Sequence, residues 1–155
     1  LPQIVGLSCE DLDVRGYEHK GYFAALTDLK SYYEANMSLL DIEKAEDLMN
    51  EEWPIYTRTN DSSPTKYFAD AEVKHAVVSN GCMIEGTIEN SIIGRGCTIK
   101  KGAVIRNSVV LPDTFVEEGI HIEYQVIDKH TRLLHCKELI GTPLQPGYVR
   151  RGDTL

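Results

Sequence analysis

The sequence has no apolar run longer than a few residues, so no segment offers the roughly 20 apolar residues that a membrane-spanning helix needs. Nor does it open on a basic stretch followed by an apolar one, the pattern of a secretory leader. It begins at Leu1 rather than Met, as expected of a piece of a longer protein. Basic charge is scarce. With 16 Lys and Arg against 24 Asp and Glu, the formal charge is -8 at pH 7. A nucleic-acid partner, which requires a cationic face to displace counterions, is therefore not expected. The acidic residues gather between Asp41 and Glu52 and read as a solvated helix face rather than a ligand site. Cysteine is limited to Cys9, Cys82, Cys97 and Cys136, without a CxxC pair or other zinc spacing. That argues against a zinc module and makes the cytoplasm the expected compartment. Trp53, the only tryptophan, reads as a packing anchor.

What the chain does have is an internal repeat. From Tyr67 to Leu139 an aliphatic or aromatic residue recurs at steps of six, six and five, closing every seventeen residues. The positions are Tyr67, Val73, Val78, Ile84, Ile88, Ile93, Ile99, Ile105, Val110, Val116, Ile122, Ile127, Leu133 and Leu139, with one shorter turn of fifteen between Val78 and Ile93. Neither a helix of period 3.6 nor a strand of period 2 produces this spacing; short strands wound around a three-sided prism do. Residues one coil apart then stack at about 4.8 Å. Counting four residues beyond the repeat positions gives three further inner columns. These are Cys82, Cys97, Thr114 and Thr131; Ala71, Ile88, Ala103 and Ile120; and Val77, Ile92, Val109 and Val126. Cys82 and Cys97 are expected as stacked core thiols, since adjacent parallel strands hold such a pair in poor disulfide geometry. Asn80-Gly81, Gly86, Asn90, Gly94, Gly96, Gly102, Asn107 and Gly119 read as corners where positive φ is needed.

Hexapeptides such as Ile93-Gly-Arg-Gly-Cys-Thr98 and Ile99-Lys-Lys-Gly-Ala-Val104 resemble the hexapeptide-repeat family, whose fold is a left-handed parallel β-helix. The handedness comes from that resemblance, because parallel crossovers are otherwise right-handed. Ahead of the repeat, Tyr22 to Leu40 reads as a lead-in loop and a helix capped by Thr27 or Asp28, with Leu29, Tyr33, Met37 and Leu40 on one face. A short helix is expected over Ile42 to Met49, an extended segment at Trp53 to Thr57, and a loop at Asn60 to Pro64. The expected fold is thus mainly β: a prism over 67–140, preceded by a short helical segment in 1–50 and a linker over 51–66, with a cap and tail over 141–155. After Leu139 the period fades, and Arg151-Gly-Asp153 reads as a chance tripeptide in a polar tail.

Gly21-Tyr-Phe23, Ser31-Tyr-Tyr-Glu-Ala-Asn-Met37, Trp53-Pro-Ile-Tyr-Thr57 and Pro64-Thr-Lys66, running straight into the repeat, resemble the glucose-1-phosphate adenylyltransferase (ADP-glucose pyrophosphorylase) family over nearly the whole chain. The resemblance implies that residues 1–50 are the end of a nucleotidyltransferase domain and that the prism serves assembly and regulation in glycogen biosynthesis. The family reaction joins ATP and glucose-1-phosphate into ADP-glucose and pyrophosphate with magnesium. Catalytic members carry Gly-Tyr-Trp-x-Asp-Val-Gly-Thr, whose aspartate helps hold the metal. Here the stretch is Gly21-Tyr-Phe-Ala-Ala-Leu-Thr-Asp28, and Ala25 takes the aspartate position. A methyl group cannot coordinate magnesium, and nucleotidyl transfer depends on metal-assisted charge stabilisation. The chain therefore resembles the non-catalytic D-type subunit that some Gram-positive bacteria pair with a catalytic subunit. No cofactor is expected in this stretch itself.

The implied partners are a catalytic subunit of the same family, further copies through the prism, and a phosphorylated metabolite. Lys66 matches a lysine that the family places at an effector site before the prism. Arg58 and Arg95 are candidates to add charge-assisted hydrogen bonds to the same phosphate. Three alternatives stay open: an active, divergent adenylyltransferase; a hexapeptide acyltransferase or a three-histidine metal enzyme built on His121, His130 and His135; and a trimerisation module. Against the histidine readings, His121 follows the inward Ile120 and His130 falls at a corner.

Overall fold

The computed structural model describes residues 2–9, 12–49, 54–56 and 61–155. Three helices come first: α1 (Pro2–Ser8), α2 (Leu29–Ser38) and α3 (Ile42–Leu48). No pattern in the sequence pointed to α1. Thirteen short strands follow: β1 (Lys66–Tyr67), β2 (Glu72–Val78), β3 (Met83–Ile84), β4 (Thr87–Ile93), β5 (Thr98–Ile99), β6 (Val104–Arg106) and β7 (Val109–Val110). The rest are β8 (Phe115–Val116), β9 (His121–Glu123), β10 (Gln125–Ile127), β11 (Arg132–Leu133), β12 (Glu138–Ile140) and β13 (Gly147–Val149). Pairing is parallel throughout.

The prism follows from the register. Its first face is β1-β3-β5-β8-β11. The second joins β6, β9 and β12 to the first halves of β2 and β4, and the third joins β7, β10 and β13 to their second halves. β2 and β4 turn the corner between these faces at His75 (φ 46°) and Asn90 (φ 46°), where later coils break at Asn107 (φ 45°) and Tyr124 (φ 50°). A second corner runs through Gly81, Gly96, Asp113, His130 and Gly152, all at positive φ. Gly152 therefore belongs to the prism: Arg151-Gly-Asp153 turns the last coil, and Leu155 hydrogen-bonds along Arg132 and Leu134. The residues read as cap and tail thus cap the prism with a further coil, which includes β13.

The repeat positions line the interior. Ile84, Ile88, Ile93, Ile99, Ile105, Val110, Val116, Ile122, Ile127 and Leu133 are fully buried, while Tyr67 at the first coil is 55% exposed for want of a coil beneath it. Each buried aliphatic contributes about 1.5–3 kcal/mol relative to exposure.

Two column assignments require correction. Val77, Ile92, Val109 and Val126 point outward; the inner column on that face is Ala76, Ser91, Ser108 and Gln125. Side chains on one strand share a side only at every second residue. The inward neighbour of each repeat position is therefore two residues before it, which coincides with four after the previous one only on the six-residue faces. Ile88 stacks with Val73 and Ile105, and Gly86 takes its place beside Ala71 and Ala103. Gly86 and Gly94 are needed for space rather than φ: a Cβ on Gly86 would lie 2.5 Å from the Ala103 carbonyl oxygen, and one on Gly94 2.6 Å from the Pro112 nitrogen.

The serine column supplies what the broken corner removes. Ser91 and Ser108 donate their hydroxyls to the carbonyls of Glu89 (2.7 Å) and Arg106 (2.6 Å). Each also accepts an amide from the coil above, Ser108 N–H at 3.1 Å and Gln125 N–H at 3.1 Å. Ser108→Ala leaves the buried Gln125 amide without its partner and the Arg106 carbonyl with the Tyr124 amide alone, and about 1–3 kcal/mol of stability is expected to go. Urea unfolding measures it; a change under about 0.5 kcal/mol would mean that the corner satisfies itself.

Cys82 and Cys97 are buried and free, as expected. Their thiols donate to the carbonyls of Gly94 (3.1 Å) and Leu111 (3.4 Å), as Thr114 does to Leu111 (2.8 Å). The hydrogen bond to Cys82 and burial both push the Cys97 thiol up. Cys9 is exposed. An aromatic disulfide reagent is expected to titrate Cys9 in native protein and reach Cys82 and Cys97 only on unfolding; prompt reaction of all four would show an open core.

Candidate functional site

Three places bear on function: the loop carrying Ala25, the seam between α2 and the prism, and the basic residues read as anion ligands. In the loop, Gly21 adopts φ 116° and leaves the space that a Cβ would take to the Asp47 carboxylate, which receives the Tyr22 amide. The Tyr22 hydroxyl lies 2.6 Å from Ser38 Oγ, tying the loop to the end of α2. A cleft of about 420 Å³ opens here, lined by Glu18, His19, Gly21, Tyr22, Asp47 and Ile55.

Ala25 is exposed a few residues further along. Asp28, the nearest carboxylate in sequence, is committed elsewhere. It caps α2, accepting the Ser31 amide at 2.7 Å, while the Ser31 hydroxyl accepts the Asp28 amide at 3.0 Å. The Ser31 amide, aided by the Ser31 side chain, holds the Asp28 carboxyl below its usual range. Asp47 is likewise taken by the Tyr22 amide. Among the described residues no group of three His, Cys, Asp or Glu is placed to hold a metal ion. The Ala25 side chain offers no oxygen to a cation, and the two carboxylates nearest the loop each receive a backbone amide.

The seam is made by the outward valine column. Tyr33, 6% exposed, packs with fully buried Val109 and Val126, flanked by Leu29, Tyr32, Met37, Leu111 and Tyr124. Its hydroxyl donates to the Asn107 carbonyl at 2.7 Å. Burial, reinforced by Tyr124, pushes the Tyr33 phenol up to about 12. Asn107 itself stands in a polar corner ladder: Asn90 Nδ2 donates to Asn107 Oδ1 at 2.6 Å, and His75 Nδ1 lies 2.9 Å from Asn90 Oδ1. Neither the ladder nor the tyrosine bond was read from the sequence, although asparagines one coil apart were the available signal. Beside the seam is a cleft of about 400 Å³ lined by Leu29, Tyr32, Leu111, Asp128, Lys129 and Tyr148. Partial burial works against the Asp128 charge, but the Tyr148 hydroxyl at 2.7 Å and the Lys129 amide keep its carboxyl low.

Of the proposed anion ligands, Arg58 lies outside the described residues, as does Trp53. Lys66 is exposed on the first face, and Arg95 is half-buried at the corner leading to β5, two strands along from Lys66. That is about 10 Å across the sheet. Along the same corner Arg95 is followed by Pro112 and then by Lys129 and Arg151. His121, His130 and His135 lie on different edges: His121 in β9 on the second face, His130 at a corner 3.5 Å from Asp113, and His135 after β11.

The family described as GlmU-like, C-terminal hexapeptide matches residues 63–145. The chain is 33% identical over 141 residues, 91% of its length, to the glycogen biosynthesis protein GlgD of Bacillus subtilis, of which it covers 41%. Glucose-1-phosphate adenylyltransferases of Bacillus thuringiensis and Bacillus cereus are 32% identical over 119 residues, 76% of this chain and 31% of theirs. The chain thus spans between about a third and two fifths of the curated relatives it matches. The family match covers β1 to β12, and the 141 residues matched to GlgD are too many to leave out the loop, α2 or α3. On these grounds the chain belongs to the GlmU-like C-terminal hexapeptide family and is a homologue of GlgD and of the glucose-1-phosphate adenylyltransferases.

Proposed function

We propose that this chain is the carboxy-terminal part of a cytoplasmic subunit that works in glycogen biosynthesis by assembling with a catalytic glucose-1-phosphate adenylyltransferase and regulating it, without transferring a nucleotidyl group itself. The observation that carries the reading is the loop at Ala25: the carboxylate position holds a methyl group, and Asp28 is used to cap α2. Transfer between ATP and glucose-1-phosphate needs charge stabilisation on the phosphates, and this loop supplies none. The seam around Tyr33 suits transmission between the two parts, because the helix after the loop is bolted to the prism.

The test is ADP-glucose formation by the full-length parent subunit with magnesium, alone and mixed with a catalytic subunit from the same cell. Silence alone and stimulation in the mixture are expected. Robust activity alone would instead favour a divergent active enzyme, a reading that the near-equal identity to the adenylyltransferases keeps in play. Stoichiometric zinc or acyl-CoA binding would revive the histidine-based enzymes. A phosphorylated effector would be held by Lys66 and Arg95, with Arg58. Lys66→Ala is then expected to move the activation curve to higher effector concentration by about tenfold, and an unchanged curve would remove Lys66 from the site.

A further inference from the structure

One outward column of the second face is charged with alternating sign. Lys74, Glu89, Arg106 and Glu123 stand on four successive strands in direct register. Arg106 Nε lies 3.2 Å from Glu89 Oε2, and Asn107 Nδ2 lies 3.4 Å from Glu123 Oε1. Ile140, 57% exposed, follows on the next strand. α2 packs on the third face, and Lys74, Glu89 and Arg106 are exposed, with Glu123 half-buried.

The order plus, minus, plus, minus becomes its own complement when reversed. We propose that this face docks a second copy of the chain, antiparallel, about a two-fold axis that runs parallel to the strands between the rungs of Glu89 and Arg106. The proposal rests on the reading of the prism as an assembly module and names its face. Under that rotation each column faces itself in reverse. Lys74 meets Glu123 of the second copy, and Glu89 meets its Arg106, each contact occurring twice as a two-fold interface requires. The neighbouring column agrees. Glu72, Thr87, Val104 and His121, also in register, place Glu72 opposite His121 and Thr87 opposite Val104, so no like charges meet.

Other registers are opposed. Moving the axis onto the Arg106 rung sets Arg106 against Arg106 and Glu89 against Glu123; moving it onto Glu89 sets Lys74 against Arg106. A parallel arrangement leaves Lys74 against Glu72 as its only pair of opposite full charges. Like-charge juxtaposition of this kind fixes orientation more than it adds affinity. The surface charges are screened by salt, so the dimer is expected to weaken as ionic strength rises.

Cross-strand pairs of opposite sign also stabilise the sheet to which they belong, and the test separates the two roles. Lys74→Glu and Glu123→Lys each break the contact between copies, and together they restore it with the signs exchanged. Within one chain the double variant is the worst of the three, since it sets Glu beside Glu89 and Lys beside Arg106. Sedimentation velocity of the 155-residue chain at low salt is expected to show a dimer that each single variant weakens about tenfold or more and the double variant recovers. Thermal melting of each variant checks that it is folded. A dimer indifferent to the single variants, or one that the double variant fails to recover, overturns this face while leaving assembly through the prism intact. A chain that stays monomeric at every concentration and salt overturns both.

Discussion

Ile105→Asp is expected to abolish the folded prism rather than soften it. Ile105 is wholly buried and stacks between Ile88 and Ile122, sealed by the aliphatics of the same cluster. The change forfeits about 1.5–3 kcal/mol of burial. It also strands a carboxylate with no cation or donor in reach, a cost of several kcal/mol more even after the group neutralises. Against a typical total of about 5–15 kcal/mol for a domain, little remains. The sign of the pH dependence follows: a carboxyl buried here has its folded pKa raised, so any surviving stability appears at acid pH and disappears as pH rises through that value. Circular dichroism and melting at pH 7 measure the loss. Ile105→Val, expected to cost only about 0.5–1.5 kcal/mol, is the control. A cooperative melt of Ile105→Asp near that of the parent would mean that water reaches the centre of the prism.

Much of this was legible because the winding of the chain imposes a spacing that nothing else produces. The buried ladder from Ile84 to Leu133, the corner at Asn90 and Asn107, and the Asp28 cap of α2 all rest on local rules that act within a few residues. The errors arose where spacing and orientation part company. On the five-residue face, counting forward selected Val109 and Val126, apolar like any core residue, and passed over Ser91 and Ser108. Hydrophobicity could not correct it, because those valines are buried too, under a helix that lies roughly seventy to ninety residues earlier in the chain. The short α1 and the last coil escaped for a different reason. α1 is as short as α3 but has Leu1 before it in the sequence where α3 has the capping Asp41, and the link from Leu139 to β13 is longer than a regular step. The candidate site was less legible still. The substitution at Ala25 was plain, but that Asp28 and Asp47 are both engaged depends on contacts between loop and helices.

Tyr33→Ala is expected to separate the helix from the prism while leaving the prism folded. Tyr33 sits in a cluster with Val109 and Val126 that is distinct from the aliphatic interior, so its removal subtracts from the seam alone. Truncating a buried aromatic costs about 3–5 kcal/mol, more than a ten-residue helix recovers from its own hydrogen bonds and cap. Amide exchange should therefore accelerate by about a hundredfold or more across Leu29–Ser38 and remain slow at Ile105 and Val110. Tyr33→Phe isolates the hydrogen bond to the Asn107 carbonyl, about 1 kcal/mol. Alkali should reproduce the effect in the wild type. The folded phenol titrates at about 12, above its ordinary value of 10.0, so the seam is at full strength below about pH 10 and loses stability as pH rises toward 12. The Phe variant has no such loss to show. In the parent subunit mixed with its catalytic partner, Tyr33→Ala is expected to abolish stimulation without dissolving the complex, since the surface of the prism is untouched and only its connection to the loop is cut. Retained stimulation would mean that the prism acts on its partner without α2.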